Sequence, residues 1–372
     1  MPTFNDIPLL VQQQADLDQL CELISNENEI AVDTEFVRTN TYAPSLGLIQ
    51  IAIDNRTACV DPLADLRLDR LWELLFDAQR TSIIHSGKQD MEVLWFTCGK
   101  VIPNLIDTQI CAALLGLPAQ IGYAGLSAEL LDIEIPKSQT RTDWSRRPLT
   151  EAQLHYAAED VEHLCTIHER LKARLTEQNR YDWAVEDSCA LADISLYKPA
   201  PENAWQRLKS IPFLAPAEQA RARALATWRE QRAVDADKPR SWILSDKALL
   251  QIAQQNPQQV NDLRRIKDLP QAVMRKQGER FIALLEKTNT AVNNGELVFS
   301  QEIPNPEKDR ARVKKLSAVI RAEAEKLDIA AEIIGSKRDI QAFLKDPEKC
   351  RLTTGWRRQV VGEKLLTLSA EI

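Results

Sequence analysis

The sequence predicts an α/β domain with a mixed sheet followed by an all-α half, and three observations carry that expectation. Apolar strand-like runs alternate with amphipathic helical patterns as far as about residue 176, as they do in a layered α/β domain. Strand signals then largely vanish after the linker Tyr197-Lys198-Pro199-Ala200-Pro201-Glu202, whose prolines interrupt helical continuation. The charge balance changes sign near the same place. Residues 1–200 carry 16 Lys and Arg against 31 Asp and Glu, a net of −15, whereas residues 201–372 carry 31 against 23, a net of +8.

The expected strands are 29–33, 47–53, 57–60 and 81–85. The second and third are joined by Asp54-Asn55-Arg56, a hairpin-length turn, so the sheet is expected to be mixed. Helical patterns cover 15–25, 68–78, 88–96, 107–115 and 125–131, with a long one from 150 to about 176. Thr150 ahead of Glu151 and Gln153 reads as an N-cap, and Asp107 ahead of Thr108 and Gln109 as another. Beyond the linker, moderate helices are punctuated by prolines at 212, 216, 239, 257 and 270, and a second break falls at Ile303-Pro304-Asn305-Pro306. The expected domains are therefore 1–198, 202–290 and 305–372.

Composition narrows the class. A chain of 372 residues, 44% hydrophobic and 27% charged, suits a soluble globular protein of two or three domains. The first twenty residues lack a basic segment followed by an apolar one, and no later run is apolar for long enough to span a bilayer. Seven scattered cysteines with no CxxC pair argue against a disulfide framework or a structural zinc, so a reducing cytoplasm is the expected compartment. The net charge of −7 conceals the two halves: a basic half suited to phosphates and an acidic half suited to metal ions.

The acidic half places carboxylates in a pattern. Ile30-Ala31-Val32-Asp33-Thr34-Glu35-Phe36 is an apolar strand in which alternation puts Asp33 and Glu35 on one face and Thr34 on the other. Two such carboxylates repel unless a cation lies between them, and Mg²⁺ or Mn²⁺ takes oxygen donors of this kind. His85-Ser86-Gly87-Lys88-Gln89-Asp90 follows a strand and opens a helix with Asp90 in its first turn. In His155-Tyr156-Ala157-Ala158-Glu159-Asp160, Tyr156 and Asp160 are four residues apart and share a helix face. Each piece alone also reads as a solvated strand end, a helix-dipole acid or a surface charge.

Arriving in this order inside one α/β domain, Asp33-x-Glu35, Asp90 and Tyr156-x-x-x-Asp160 resemble the DEDD exonuclease superfamily, tyrosine subclass, and within it the bacterial ribonuclease D family. The wording Leu48-Ile49-Gln50-Ile51-Ala52, Ile106-Asp107-Thr108-Gln109, Lys137-Ser138, Thr142-Asp143-Trp144 and Arg147-Pro148-Leu149 is similar to that family as well. The resemblance implies a ribonuclease H-like fold, a mixed five-stranded sheet flanked by helices. It also implies two divalent ions, Mg²⁺ or Mn²⁺, about 4 Å apart. Carried over, Asp33 bridges both ions, Glu35 and Asp160 complete the nucleophile-side ion, Asp90 holds the second, and Tyr156 positions the attacking water. The product is a nucleoside 5′-monophosphate.

Residues 202–287 look like an HRDC domain, and the tail from Asp309, with Gly335-Ser336-Lys337-Arg338-Asp339 and Gly355-Trp356-Arg357-Arg358, like a second, divergent copy. The expected partner is single-stranded RNA 3′ ends, with transfer-RNA precursors implied by the family; no membrane and no obligate protein partner is expected. Trp228, Trp242 and Trp356 are expected to anchor helical cores rather than to stack on bases. Two rivals stand beside this reading: a DNA exonuclease, because the metal site treats both backbones alike, and a catalytically silent RNA-binding protein. His155 and His163 are not expected to be ligands, because the carboxylate set is complete without them.

Overall fold

The structure is a computed structural model that describes residues 8–54, 56–135, 142–300 and 306–371. Lys137-Ser138, Asn55 of the expected hairpin turn and Ile303-Pro304-Asn305 lie outside the described residues. By packing, the chain divides into two units. Met1–Val37, Pro44–Tyr197 and Glu307–Ile372 belong to the first; Arg38–Ala43 and Lys198–Pro306 belong to the second.

In chain order the elements before the linker are β1 (Leu10–Val11), α1 (Gln14–Ser25), β2 (Glu29–Val37), β3 (Ser45–Ile53), β4 (Arg56–Val60), α2 (Asp69–Leu75), β5 (Thr81–Ile84), α3 (Lys88–Cys98), β6 (Leu105–Asp107), α4 (Thr108–Leu114), α5 (Tyr123–Leu131), α6 (Glu151–Glu162), α7 (Leu164–Glu177) and α8 (Tyr181–Cys189). The helical half follows with α9 (Pro216–Asp235), α10 (Arg240–Ile243), α11 (Asp246–Gln255), α12 (Gln271–Asn293), α13 (Pro306–Leu327), α14 (Ala331–Ile334), α15 (Lys337–Lys345), α16 (Gly355–Arg357) and α17 (Glu363–Glu371).

The sheet of the first unit is mixed and runs β1-β4-β3-β2-β5-β6. Strand β2 is antiparallel to β3 and parallel to β5, which places it inside the sheet with both ladders satisfied. Among the described residues the sheet has six strands rather than the five the family resemblance implies. The unforeseen ones are the short β1, parallel to β4, and β6, parallel to β5, both at sheet edges. Alternation along β2 feeds two cores. Ile30 and Val32 join Leu17, Leu20, Leu71 and Met91 on the face of α1–α3, whereas Ala31 joins Ile106, Leu126, Leu164 and Leu171 on the other face.

The long helix expected from 150 to about 176 is two helices. His163 breaks it with φ −105° and ψ 2°, and its N–H donates to the Tyr123 hydroxyl at 3.1 Å. Thr150 caps α6 as expected, in a reciprocal capping box with Gln153. Of the seven cysteines, Cys21, Cys59, Cys111 and Cys350 are buried, and all seven are free.

The C-terminal helices share the second core of the α/β unit, with Leu316, Ile320, Phe343 and Leu365 in the same apolar cluster as Leu164 and Leu171. Polar contacts fasten them further. The buried Arg357 guanidinium donates to both oxygens of Asp187 at 2.5 and 2.7 Å and to the carbonyl of Ile334. Trp356 stacks on Trp183, ring centres 4.5 Å apart.

The second unit has its own core, in which Leu225, Leu249, Ile252, Phe281 and Leu285 meet across α9, α11 and α12. Arg38–Ala43, which leaves the end of β2, belongs to this unit. The backbone N–H groups of Tyr42 and Ala43 donate to Asp237, and the Tyr42 hydroxyl donates to Glu230, itself ion-paired with Arg240. Among the described residues, no helix is long and apolar enough to cross a membrane.

Candidate active site

Three elements deliver the expected residues. Asp33 and Glu35 lie on β2, on the face opposite Thr34; Asp90 lies in the first turn of α3; Tyr156 and Asp160 lie one turn apart on α6. Helix α6 packs against β2, β3 and β4 through the buried Ala157, Ala158 and Val161, leaving Tyr156 and Asp160 half-exposed beside β2. Asp33 lies within electrostatic reach of Glu35, Asp90 and Asp160, and Tyr156 within reach of Asp33, Glu35 and Asp160.

Those electrostatics are unfavourable as they stand. Burial raises the Asp33 carboxyl well above its usual range, and Asp90, Asp160 and Glu35 raise it further. Burial with Asp160 and Asp90 pushes Glu35 up to about 8. Burial with Glu159 pushes Asp160 to about 7 although the Tyr156 hydroxyl donates to it. Asp90 rises to about 6 through burial, restrained by Thr34. Among the described residues none of the four forms an ion pair. A set of four convergent carboxylates without a cation is costly, and a hard dication is what relieves it.

The donors therefore fit a divalent metal in kind. As the side chains stand, no three His, Cys, Asp or Glu among the described residues form a group that could hold a metal ion. Drawing the carboxylates inward is the adjustment that a cation between them would favour.

Asp90 is oriented rather than merely present. Its Oδ1 accepts the backbone N–H of Thr34 at 3.1 Å and the Thr34 hydroxyl at 2.6 Å, tying the start of α3 to β2. The turn ahead of α3 is held by Asp107. This residue caps α4 as the sequence suggests, accepting Gln109 N–H at 2.9 Å, and also takes the N–H groups of Ser86 and Gly87 at 3.0 Å each. Asp107 is thus a positioning residue for the Asp90 turn. A Cβ at Gly87 would come within 1.8 Å of the Ile84 side-chain end, so a larger residue there would require that side chain to shift. His85 bonds Thr108 and the carbonyl of Ile121, and burial lowers its pKa, so it is a neutral structural group.

Tyr156 is positioned from the other side by Trp144, stacked at 6.4 Å. Trp144 reaches it because Gly47 has no side chain: a Cβ there would lie 2.8 Å from Trp144. The β2–β3 register slips between Glu35 and Phe36, skipping Gly47. Arg147 then locks the loop, donating to both oxygens of Asp61 at 2.7 and 2.6 Å, to the carbonyl of Gly47 and to that of Trp144. The sequence missed these supports. Arg147 and Trp144 stood only as family wording, and Asp61 carries no local pattern. Gln50, opposite Asp33 in register, was also given no role, yet its fully buried amide lacks a protein partner.

Comparison with known proteins places the chain in a family. Residues 8–176 match the 3′–5′ exonuclease family and residues 218–285 the HRDC domain. The chain is 34% identical to ribonuclease D of Pseudomonas paraeruginosa over 96% of both chains. It is also 34% identical to ribonuclease D of Gluconacetobacter diazotrophicus, covering 97% of this chain and 92% of the relative. The crystal structure of Escherichia coli RNase D, described as an exoribonuclease involved in structured RNA processing, superimposes with a TM-score of 0.90 at 31% identity, covering 97% of this chain and 98% of that one. The chain belongs to the ribonuclease D family, divalent-metal-dependent 3′→5′ exoribonucleases that release nucleoside 5′-monophosphates.

Proposed function

We propose that this chain trims the 3′ ends of structured RNAs, transfer-RNA precursors among them, at a site where Asp33, Glu35, Asp90 and Asp160 hold two divalent ions, Mg²⁺ or Mn²⁺. The observation that carries this reading is the cluster of four carboxylates, raised in pKa by burial and by one another and lacking any ion pair among the described residues. Its E. coli relative's part in structured RNA processing supports the substrate class.

When bound, the ions sharpen the attacking water and stabilise charge on the phosphate and the departing 3′-oxygen. The protein supplies alignment. Asp33, central in the cluster, faces Glu35, Asp90 and Asp160 at once. Thr34 fixes the Asp90 Oδ1. Burial and the neighbouring carboxylates hold the Tyr156 phenol protonated, so it orients the water by hydrogen bonding rather than removing its proton. Water adds to the terminal phosphorus, the bond to the 3′-oxygen breaks, and that oxygen takes a proton as the 5′-monophosphate departs.

The basic surplus beyond residue 200 suits phosphate contacts for an HRDC domain at 202–290 and a second, HRDC-like one at 305–372. Seven free cysteines fit the reducing cytoplasm. The test is to incubate the protein with 5′-labelled RNA, DNA of the same sequence, and a transfer-RNA precursor with a 3′ extension, in Mg²⁺, Mn²⁺ or EDTA. The expected result is a metal-dependent ladder that shortens RNA from its 3′ end, spares DNA and halts at the precursor's duplex. Equal loss of DNA would move the substrate, and binding without shortening in any metal would overturn the reading.

A further inference from the structure

Trp242 departs from the core role the sequence suggests for the tryptophans. Trp228 packs edge-on against Phe281 with ring centres 5.0 Å apart, and Trp356 is 4% exposed, but Trp242 is 58% exposed. A single exposed apolar side chain needs no explanation. This one lines a cavity of about 270 Å³ in the second unit, with Ile243 and Val273 as further apolar lining. Arg232, Lys238 and Lys276 line the same cavity and no carboxylate does. None of these three cations forms an ion pair among the described residues.

The backbone that carries the indole is anchored: the Trp242 backbone N–H donates to the Pro239 carbonyl at 2.9 Å, and Arg240, in the same short helix, bonds Glu230 and Tyr42. A flat aromatic surface ringed by cations that form no ion pair among the described residues matches a nucleotide, which offers an apolar face and anionic links on either side. An apolar protein anchor would find no use for three cations.

We propose that this pocket binds one nucleotide of single-stranded RNA, its base stacked on Trp242 and its flanking phosphates at Arg232, Lys238 and Lys276. The inference rests on the reading of the chain as an exoribonuclease. It makes Trp242 a grip on the strand that accepts any base, since every base has a face to stack.

The test is equilibrium binding of a 5′-fluorescein single-stranded RNA to the full chain in EDTA, read by anisotropy. Trp242→Ala weakens binding about tenfold, the scale of one lost base–aromatic stack. Trp242→Tyr recovers most of that loss. Lys238→Ala with Lys276→Ala flattens the dependence of log Kd on log salt by about 0.7 per lost phosphate contact. Binding by Trp242→Ala within twofold of wild type, a tyrosine variant no better than alanine, or an unchanged salt slope overturns the proposal and leaves the face to a protein partner. Wild-type protein that binds no RNA in EDTA and shortens none in Mg²⁺ or Mn²⁺ removes the functional reading itself. Wild-type binding kept in full by Trp242→Ala removes this inference alone.

Discussion

Replacing Thr34 by valine tests whether the site depends on how Asp90 is held. The change is nearly isosteric at a residue only 5% exposed, and it deletes one bond, the 2.6 Å hydroxyl contact to Asp90 Oδ1, while leaving the 3.1 Å backbone N–H in place. A hydrogen bond to a charged group contributes about 1.5–3 kcal/mol. Asp90 already sits at about 6 because burial outweighs its hydrogen bonds. Removing the Thr34 hydroxyl favours the protonated acid, so the acid limb of the pH–rate profile moves to higher pH by about one unit or more. Loss of a partner that orients a metal-binding carboxylate raises the half-saturating metal concentration about 10–100-fold. The assay is the initial rate of 5′-monophosphate release against Mg²⁺ or Mn²⁺ concentration, repeated from pH 5.5 to 9. Thr34→Ser, which keeps the hydroxyl, should follow the wild type. A folded Thr34→Val protein with wild-type metal and pH dependence, or a serine variant equally impaired, would refute the reasoning.

Arg147→Ala leaves Asp61, 1% exposed, without its bidentate partner, and a broken buried pair costs about 3 kcal/mol or more. Its urea midpoint should fall clearly, with Arg147→Lys recovering only part; an unchanged midpoint would show that the Trp144 loop is held otherwise. In EDTA, stability should fall as pH rises. Glu35, Asp160 and Asp90 are raised to about 8, 7 and 6, so the folded state keeps protons that the unfolded chain releases near pH 4. Their contribution is complete below about pH 4 and is lost as pH passes through 6 to 8. Thermal melts in EDTA should therefore drop between pH 5 and 8.5 and recover with Mn²⁺ at the alkaline end; a flat profile would contradict the carboxylate cluster.

What the sequence disclosed was what has a local signature. Asp33 and Glu35 follow from strand alternation, Tyr156 and Asp160 from helical spacing, and Asp107 and Thr150 from capping chemistry. Short edge strands have too few residues to show a period, so Leu10–Val11 and Leu105–Asp107 stayed hidden. The break at His163 involves neither proline nor glycine; it comes with a tertiary hydrogen bond from its N–H to the Tyr123 hydroxyl, 40 residues away. Arg147 meets Asp61 across 86 positions, and Tyr42 meets Glu230 across 188; no window of sequence contains either pair. The tail reads as a separate helical unit, yet its apolar residues complete a core begun on β2. Exposure of Trp242 was likewise invisible, because a tryptophan in a helical pattern looks the same whether its face is covered or open.

The central claim is that the Asp33 cluster performs metal-dependent hydrolysis, and Asp33→Asn tests it most directly. The substitution keeps size and removes the charge that sits among Glu35, Asp90 and Asp160. Followed on 5′-labelled RNA in Mg²⁺ and Mn²⁺, with a thermal melt on the same sample, the account predicts no 3′ shortening by a protein that melts no lower than wild type in EDTA. A well-folded Asp33→Asn protein that degrades RNA at the wild-type rate would contradict it.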